Sequence, residues 1–104
     1  MKPERKRRLE AAGLKAGSAE QFLGLTPEES AMVDLRLSLA HEVRRRREQK
    51  EYSQAELARL IGSSQSRVAK IEAAEADVSF DLLFRALFAT GAKKRDIGRV
   101  VAAA

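Results

Sequence analysis

The sequence contains no cysteine, no tryptophan and only one histidine, and these absences exclude several kinds of functional site. Without cysteine the chain has no disulfide framework and no thiolate metal site, and His41 alone offers little for zinc or for the base of a catalytic nucleophile. The sequence also lacks a pairing of nucleophile and base and a phosphate-binding glycine loop. We therefore expect a protein that is not an enzyme and that uses no metal or other cofactor.

Long hydrophobic runs are also missing. No apolar stretch approaches the roughly 18 residues that a membrane span needs. The basic residues Arg5 to Arg8 are not followed by the apolar segment of a secretion signal. We expect a cytoplasmic protein without a membrane partner, and a length of 104 residues fits a single domain.

Positive charge is in excess but is unevenly distributed. The net charge is +5, which favours a polyanionic partner. Residues 1–20 carry six basic against three acidic side chains and residues 41–50 carry five against two, whereas residues 73–90 carry one against three. Such basic runs are ordinary solvated faces unless the fold gathers them on one side.

Helical signals cover the chain from residue 26 onwards, and the alternation typical of strands is absent. Thr26 with Glu29 and Ser53 with Glu56 have the spacing of capping boxes at helix starts. The pattern predicts an all-α domain over residues 26–104, preceded by a basic leader, residues 1–25, that is partly ordered or forms short helices. The predicted helices run from Pro27 to about Lys50, from Gln54 to Ile61, from near Gln65 to Ala73 or Ala74, from Phe80 to about Thr90, and from about Lys93 to Ala102.

Between the second and third predicted helices lies the segment "LIGSSQSRV", in which a glycine is followed by four small polar residues. Two short helices joined by such a turn have the shape of a helix-turn-helix, whose second helix enters the DNA major groove. Val68 and Ile71 are expected to face the core. The outward face would then carry Ser66, Ala69, Lys70 and Ala73, flanked by Gln65 and Arg67. From spacing alone, a plain turn followed by a surface helix is an equally good interpretation.

Each outward side chain has a role that it can play on DNA. Gln65 can bond bidentately to adenine, Lys70 and Arg67 can reach guanine or phosphate, and the methyl group of Ala69 can contact that of thymine. Ser64 can cap the helix, whose free amides can meet a phosphate.

The segment "SQAELARLIGSSQSRVAKIEAAEADVSFDLLFRALFATG" strongly resembles the Cro/cI-type helix-turn-helix family, also called the xenobiotic-response-element family. The resemblance covers roughly residues 34–92. It implies a five-helix, lambda-repressor-like domain that binds double-stranded DNA and regulates transcription. The leader also looks like that of short bacterial regulators of this family, including relatives of antitoxins.

The resemblance implies roles for individual residues. Gln54 matches a glutamine that contacts phosphate and braces the third helix, and Gln65, Ser66 and Lys70 match base-reading positions. Arg47 and Glu72 match an ion pair that joins the first helix to the end of the third. The candidate phosphate contacts are Gln54, Ser64, Arg44, Arg47 and Arg59.

The sequence departs from the family pattern at three places. Glu51 stands where a glycine usually ends the first helix, so a strained or different turn is expected there. Ser63 replaces an apolar residue after the central glycine. The loop "AAEAD" carries Glu75 and Asp77, which would repel phosphates. We expect Arg44, Arg47, Arg59 or the leader to compensate, and otherwise DNA binding would be vestigial.

The function expected is that of a sequence-specific regulator, most simply a repressor that acts as a two-fold dimer. The apolar surface of the first helix and the last helix around Ile97 and Val100 are candidate dimer interfaces. The alternative is an antitoxin that binds a small toxin protein and represses its own operon.

Overall fold

The computed structural model describes residues 24–104, and all regular secondary structure in that part of the chain is helical. The helices are α1 (Pro27–Gln49), α2 (Gln54–Leu60), α3 (Gln65–Glu72), α4 (Phe80–Ala89) and α5 (Lys94–Ala103). The expected all-α, five-helix domain is confirmed, and each helix ends within about two residues of its predicted position. The predicted leader lies outside the described residues except for its last two.

The helix starts are determined by local side-chain caps. Thr26 Oγ1 accepts a hydrogen bond from the Glu29 amide at 3.1 Å, and the Glu29 carboxylate accepts one from the Thr26 amide at 3.1 Å. Ser53 and Glu56 form the same reciprocal pair at 3.0 Å in both directions. These bonds satisfy amides that have no partner within the helix, and a single cap of this kind contributes about 1 kcal/mol.

Each of the first four helices is followed by a residue with a positive φ. These residues are Glu51, Gly62, Ala74 and Gly91, with φ of 59°, 63°, 56° and 92°. After α1, the Glu51 amide donates to the Glu48 carbonyl and the Tyr52 amide donates to the Arg47 carbonyl, which is the Schellman pattern. The first helix thus ends in the usual turn, but with the strain of a side chain at a left-handed position.

Helix α1 forms one wall of the core and packs against α3, α4 and α5, while α2 packs mainly on α3. The largest fully buried apolar side chains come from every helix except α5 and are Leu39, Val43, Leu57, Val68, Ile71, Leu83 and Leu87. Ile97 and Val100 of α5, which were expected as part of a dimer interface, are half-buried against this core. Because Val68 and Ile71 of α3 pack in the same core as side chains of α1 and α2, the core fixes the position of α3 relative to those two helices.

The apolar stripe predicted on α1 is buried only in its C-terminal half. Leu39 and Val43 are fully buried, whereas Met32 is 47% exposed. Arg36 marks the point where α1 meets the start of α4, because its guanidinium donates to the Val78 carbonyl and stacks 4.6 Å from the centroid of the Phe80 ring. Met32 lies one helical turn closer to the N-terminus of α1 than Arg36, where α1 extends past the start of α4.

Polar side chains join α1 to α5. The Glu42 carboxylate accepts hydrogen bonds from Arg45 at 2.6 and 3.0 Å and from Arg46 at 2.7 Å. Arg46 also lies 3.8 Å from Asp96, whose carboxylate accepts from the Lys93 amide at the start of α5. The bonds from Arg45 and Arg46 outweigh burial and lower the pKa of Glu42 below its ordinary value of 4.5.

Candidate nucleic-acid interface

The turn between α2 and α3 uses its small polar residues for backbone geometry. Gly62 adopts a φ of 63°, and the Ser63 amide donates to the Ala58 carbonyl at 2.8 Å. Ser64 then begins α3, where its hydroxyl accepts a hydrogen bond from the Arg67 amide at 3.1 Å. Ser63 and Ser64 therefore close α2 and open α3, and Gln65 is the first residue of α3.

Helix α3 is anchored by one face and exposed on the other. Val68 and Ile71 are completely buried and pack in the core. The opposite face presents five exposed side chains, which are those of Gln65, Ser66, Arg67, Ala69 and Lys70. All the residues predicted to read bases are thus gathered on one accessible surface, called here the α3 face.

A nearly buried ion pair holds the end of α3. Arg47 donates to both carboxylate oxygens of Glu72, at 2.6 and 3.0 Å, and a third hydrogen bond goes to the Tyr52 carbonyl at 2.8 Å. The Arg47 and Glu72 side chains are only 13% and 6% exposed. Gln54 Nε2 also donates to Glu72, at 3.2 Å, so α1, α2 and α3 meet at one carboxylate.

This arrangement limits how far Arg47 is exposed. Its guanidinium is enclosed by Glu72 and Tyr52, and the hydrogen bonds to Glu72 raise the pKa of Arg47 above its ordinary value. The structure therefore brings Arg47 into the ion pair predicted for it. The contact of Arg47 with a phosphate stays a prediction, for which only the 13% of its side chain that is exposed is available.

The other candidate phosphate contacts have different surroundings. Arg44 and Arg59 are exposed on α1 and α2, and Arg44 Nε lies 3.7 Å from the Glu48 carboxylate in a pair that is more than half exposed. Exposed ion pairs such as that of Arg44 with Glu48 are weak, so Arg44 and Arg59 remain available to a polyanion. Gln54, by contrast, is half-buried and is held by Glu72.

The acidic loop after α3 is firmly attached to the domain. Val78 is 2% exposed, its carbonyl accepts from Arg36, and its amide donates to the Glu75 carbonyl at 3.1 Å. Asp77, next to this anchor, places its carboxylate 3.7 Å from the ammonium group of Lys70 on α3. Sequence reasoning noted the acidity of the loop but missed the Arg36 anchor and the pairing of Asp77 with Lys70.

Within residues 24–104, no group of three or more histidine, aspartate or glutamate side chains is placed to hold a metal ion. In the same segment, no helix combines the length and apolar character needed to cross a membrane. His41 lies on the exposed side of α1.

Comparison with protein families identifies the domain. Residues 43–88 match the model of a helix-turn-helix family, and this range includes the end of α1, all of α2 and α3, and most of α4. Neither the curated proteins nor the solved structures contained a significant match.

The matched range contains the ion pair, the glycine turn and the whole α3 face. The match confirms the resemblance on which the sequence-based expectation rested. We conclude that residues 43–88 form a helix-turn-helix domain of the Cro/cI type, also called the xenobiotic-response-element type, a family of DNA-binding transcriptional regulators.

Proposed function

We propose that the protein is a sequence-specific transcriptional repressor that reads the DNA major groove with α3. The observation that carries this proposal is the α3 face, a set of small or hydrogen-bonding side chains that are all exposed although α3 itself is anchored by Val68 and Ile71. A major groove about 12 Å wide accepts a helix, and side chains of these types match the donors and acceptors of base edges.

The side chains of this face can contact three bases, adenine, guanine and thymine. Gln65, in the first turn of α3, is suited to adenine N6 and N7, and Lys70 to guanine O6 and N7. Ala69, between them, offers a methyl group to thymine. Ser66 and Arg67 complete the set with a hydroxyl and a guanidinium for bases or adjacent phosphates.

Phosphate contacts would fix the register of α3 on the duplex. Arg44 and Arg59 are exposed cations on the helices next to α3. Gln54, near the start of α2, is held by Glu72 and is placed to brace α3 while it meets a phosphate. The start of α3 at Ser64 adds free amides, which favour an anion. These contacts supply affinity rather than sequence information.

A two-fold dimer is the expected binding form, because one helix of this length reads few base pairs. Two half-sites would lie about one helical turn, roughly 34 Å, apart. Met32 on α1 and Val101 on α5 are 47% and 41% exposed and are candidates for the dimer contact, with Ile97 and Val100 beside Val101. Replacing Met32 and Val101 with lysine should shift sedimentation toward the monomer, and an unchanged dimer would exclude this surface.

The decisive experiment is selection of bound duplexes from a random DNA pool. The intact protein is compared with a Gln65→Ala, Lys70→Ala double variant. A Gln49→Ala, Lys50→Ala variant serves as the matched control, since it removes the same side-chain types from the exposed end of α1. Circular dichroism establishes that all three proteins fold.

A palindromic motif that the control retains and the α3 variant loses is the expected result. Salt-sensitive binding without any motif, equal in all three proteins, would refute sequence reading by α3.

The second candidate function is that of an antitoxin that binds a small toxin protein. It is favoured by the half-exposed Met32 on the long α1, which gives a partner an apolar contact away from α3. A toxin-like reading frame next to the gene, together with a purified complex that is lost in a Met32→Lys variant, would support it. If the protein selects a DNA motif but binds no such partner, repression is the only one of the two functions that is supported.

A further inference from the structure

We propose that Asp77 sets the ratio of specific to non-specific DNA binding by pairing with Lys70 on the α3 face. This inference rests on the proposed function of α3 and adds a residue that the base-reading set does not contain. Asp77 acts through Lys70 and is therefore a positioning residue rather than a DNA contact.

The position of Asp77 is fixed by its neighbours in the loop. Val78 is buried, and its carbonyl is held by Arg36, which also stacks on Phe80. At the other end of the loop, the Glu75 amide donates to the Lys70 carbonyl at 3.1 Å. Because both ends are held, the carboxylate of Asp77 stays beside the last turn of α3.

The ion pair itself is open to solvent. Lys70 Nζ lies 3.7 Å from Asp77 Oδ2, and the two side chains are 49% and 65% exposed. Pairs with this exposure are weak and leave the ammonium group accessible. An ammonium group has three N–H donors, so Lys70 can keep Asp77 beside it while its other donors meet acceptors on DNA.

This pairing affects the two modes of DNA binding unequally. Non-specific binding comes almost entirely from the neutralisation of phosphates by lysine and arginine. A lysine that already has a carboxylate beside it contributes less to that neutralisation. At a cognate site, guanine O6 and N7 accept from two of the three N–H donors of Lys70, so the contact with the base does not require Asp77 to leave. Asp77 therefore weakens binding to random sequences more than to the cognate one, which raises specificity by opposing the wrong partners.

The size of the effect follows from the salt dependence of phosphate contacts. If Asp77→Asn frees Lys70 to neutralise one further phosphate, the slope of log K against log salt becomes steeper by about 0.9. The gain in affinity for random duplex DNA cannot exceed the free energy of the exposed pair, which limits it to about fivefold. The gain on the cognate duplex should be clearly smaller, so the specificity ratio falls.

The experiment measures binding to a random duplex and to the selected cognate duplex at several salt concentrations. The variants are Asp77→Asn and the conservative Asp77→Glu, which should restore most of the wild-type ratio. Glu28→Gln is the matched control, because it removes one exposed carboxylate in the first turn of α1. That position lies about 28 Å along α1 from Arg47, well beyond the Debye length of roughly 10 Å.

A Lys70→Ala background separates pairing from general repulsion. On random DNA, the gain caused by Asp77→Asn should shrink to less than half in this background, because the partner of Asp77 is gone. An undiminished gain would overturn the assigned mechanism and would mean that Asp77 only repels phosphates.

The failure of this inference can be told apart from the failure of the proposed function. A wild-type protein that selects no DNA motif refutes sequence reading by α3. If the protein selects a motif but Asp77→Asn and Glu28→Gln have equal affinities for random DNA, only the role of Asp77 is refuted.

Discussion

Replacing Glu72 with glutamine tests how much of the stability of the domain depends on one carboxylate. In the structure, Glu72 receives two hydrogen bonds from Arg47, at 2.6 and 3.0 Å, and one from Gln54 at 3.2 Å. An amide keeps one acceptor oxygen but removes the charge, and it turns an NH₂ group toward the guanidinium. Arg47 is then left as a positive charge that is 13% exposed and has only neutral acceptors, the remaining amide oxygen and the Tyr52 carbonyl.

The expected cost can be worked out from this burial. Breaking a buried ion pair from one side costs about 3 to 5 kcal/mol. We expect roughly 3 kcal/mol, at the low end, because part of the Arg47 side chain still reaches water. For a domain of this size each kcal/mol lowers the Tm by about 4 to 8 °C, so the Tm should fall by roughly 12 to 24 °C.

Urea denaturation followed by circular dichroism measures this free energy of unfolding. Glu48→Gln is the matched control, since Glu48 pairs with Arg44 at 3.7 Å while both side chains are more than half exposed, and its loss should cost less than about 1 kcal/mol. An Arg47→Met, Glu72→Leu double variant should recover much of the loss, because it leaves no charge uncompensated. If Glu72→Gln costs no more than Glu48→Gln, the idea that this pair holds α3 in place is wrong.

Three other predictions can be tested by the same denaturation assay. Glu51→Gly should stabilise the domain by about 1 kcal/mol, because φ at Glu51 is 59°. Lys50→Gly, one residue earlier at a φ of −80°, should destabilise the domain. Equal effects of the two substitutions would contradict the idea that the backbone at Glu51 is strained. Ser64→Ala removes the cap of α3 and should cost about 1 kcal/mol, whereas Ser64→Asp should retain most of the stability, so equal losses in both would exclude the cap. The pKa of Glu42 is lowered in the folded state, so its ionised form stabilises the domain above pH 4.5, and this contribution is lost as the pH falls through the folded pKa. The Glu42→Gln variant should therefore be less stable than the wild type at pH 7. The difference in the free energy of unfolding should shrink toward pH 3. A difference that stays constant with pH would show that ionisation of Glu42 contributes nothing.

Much of the fold could be predicted because its signals act over a few residues. The hydroxyl groups of Thr26 and Ser53 cap helices by accepting a hydrogen bond from the amide three residues later. Each cap therefore depends on only four consecutive residues of the sequence. The outward face of α3 follows from the spacing of Val68 and Ile71, since a helix turns by a fixed angle per residue. The strain at Glu51 was expected from the resemblance, because the family usually has a glycine at that position.

The resemblance to a family supplied what local patterns do not contain. The pair between Arg47 and Glu72 spans 25 residues, and nothing in the periodicity of either helix indicates it. What the resemblance left open was the accessibility of Arg47. Only the packing of α1 against α3 shows that its guanidinium is enclosed.

The sequence by itself determined the helices, their caps and the residues that α3 turns outward, because each depends on bonds or angles within one or two helical turns. The tertiary structure decided which charges meet. Arg36 reaches Val78 across 42 residues, Asp77 finds Lys70 through the path of the anchored loop, and Met32 stays half exposed because it lies beyond the start of α4. Such contacts depend on where distant segments come together, and that is set by the packing of the whole core rather than by any stretch of the chain.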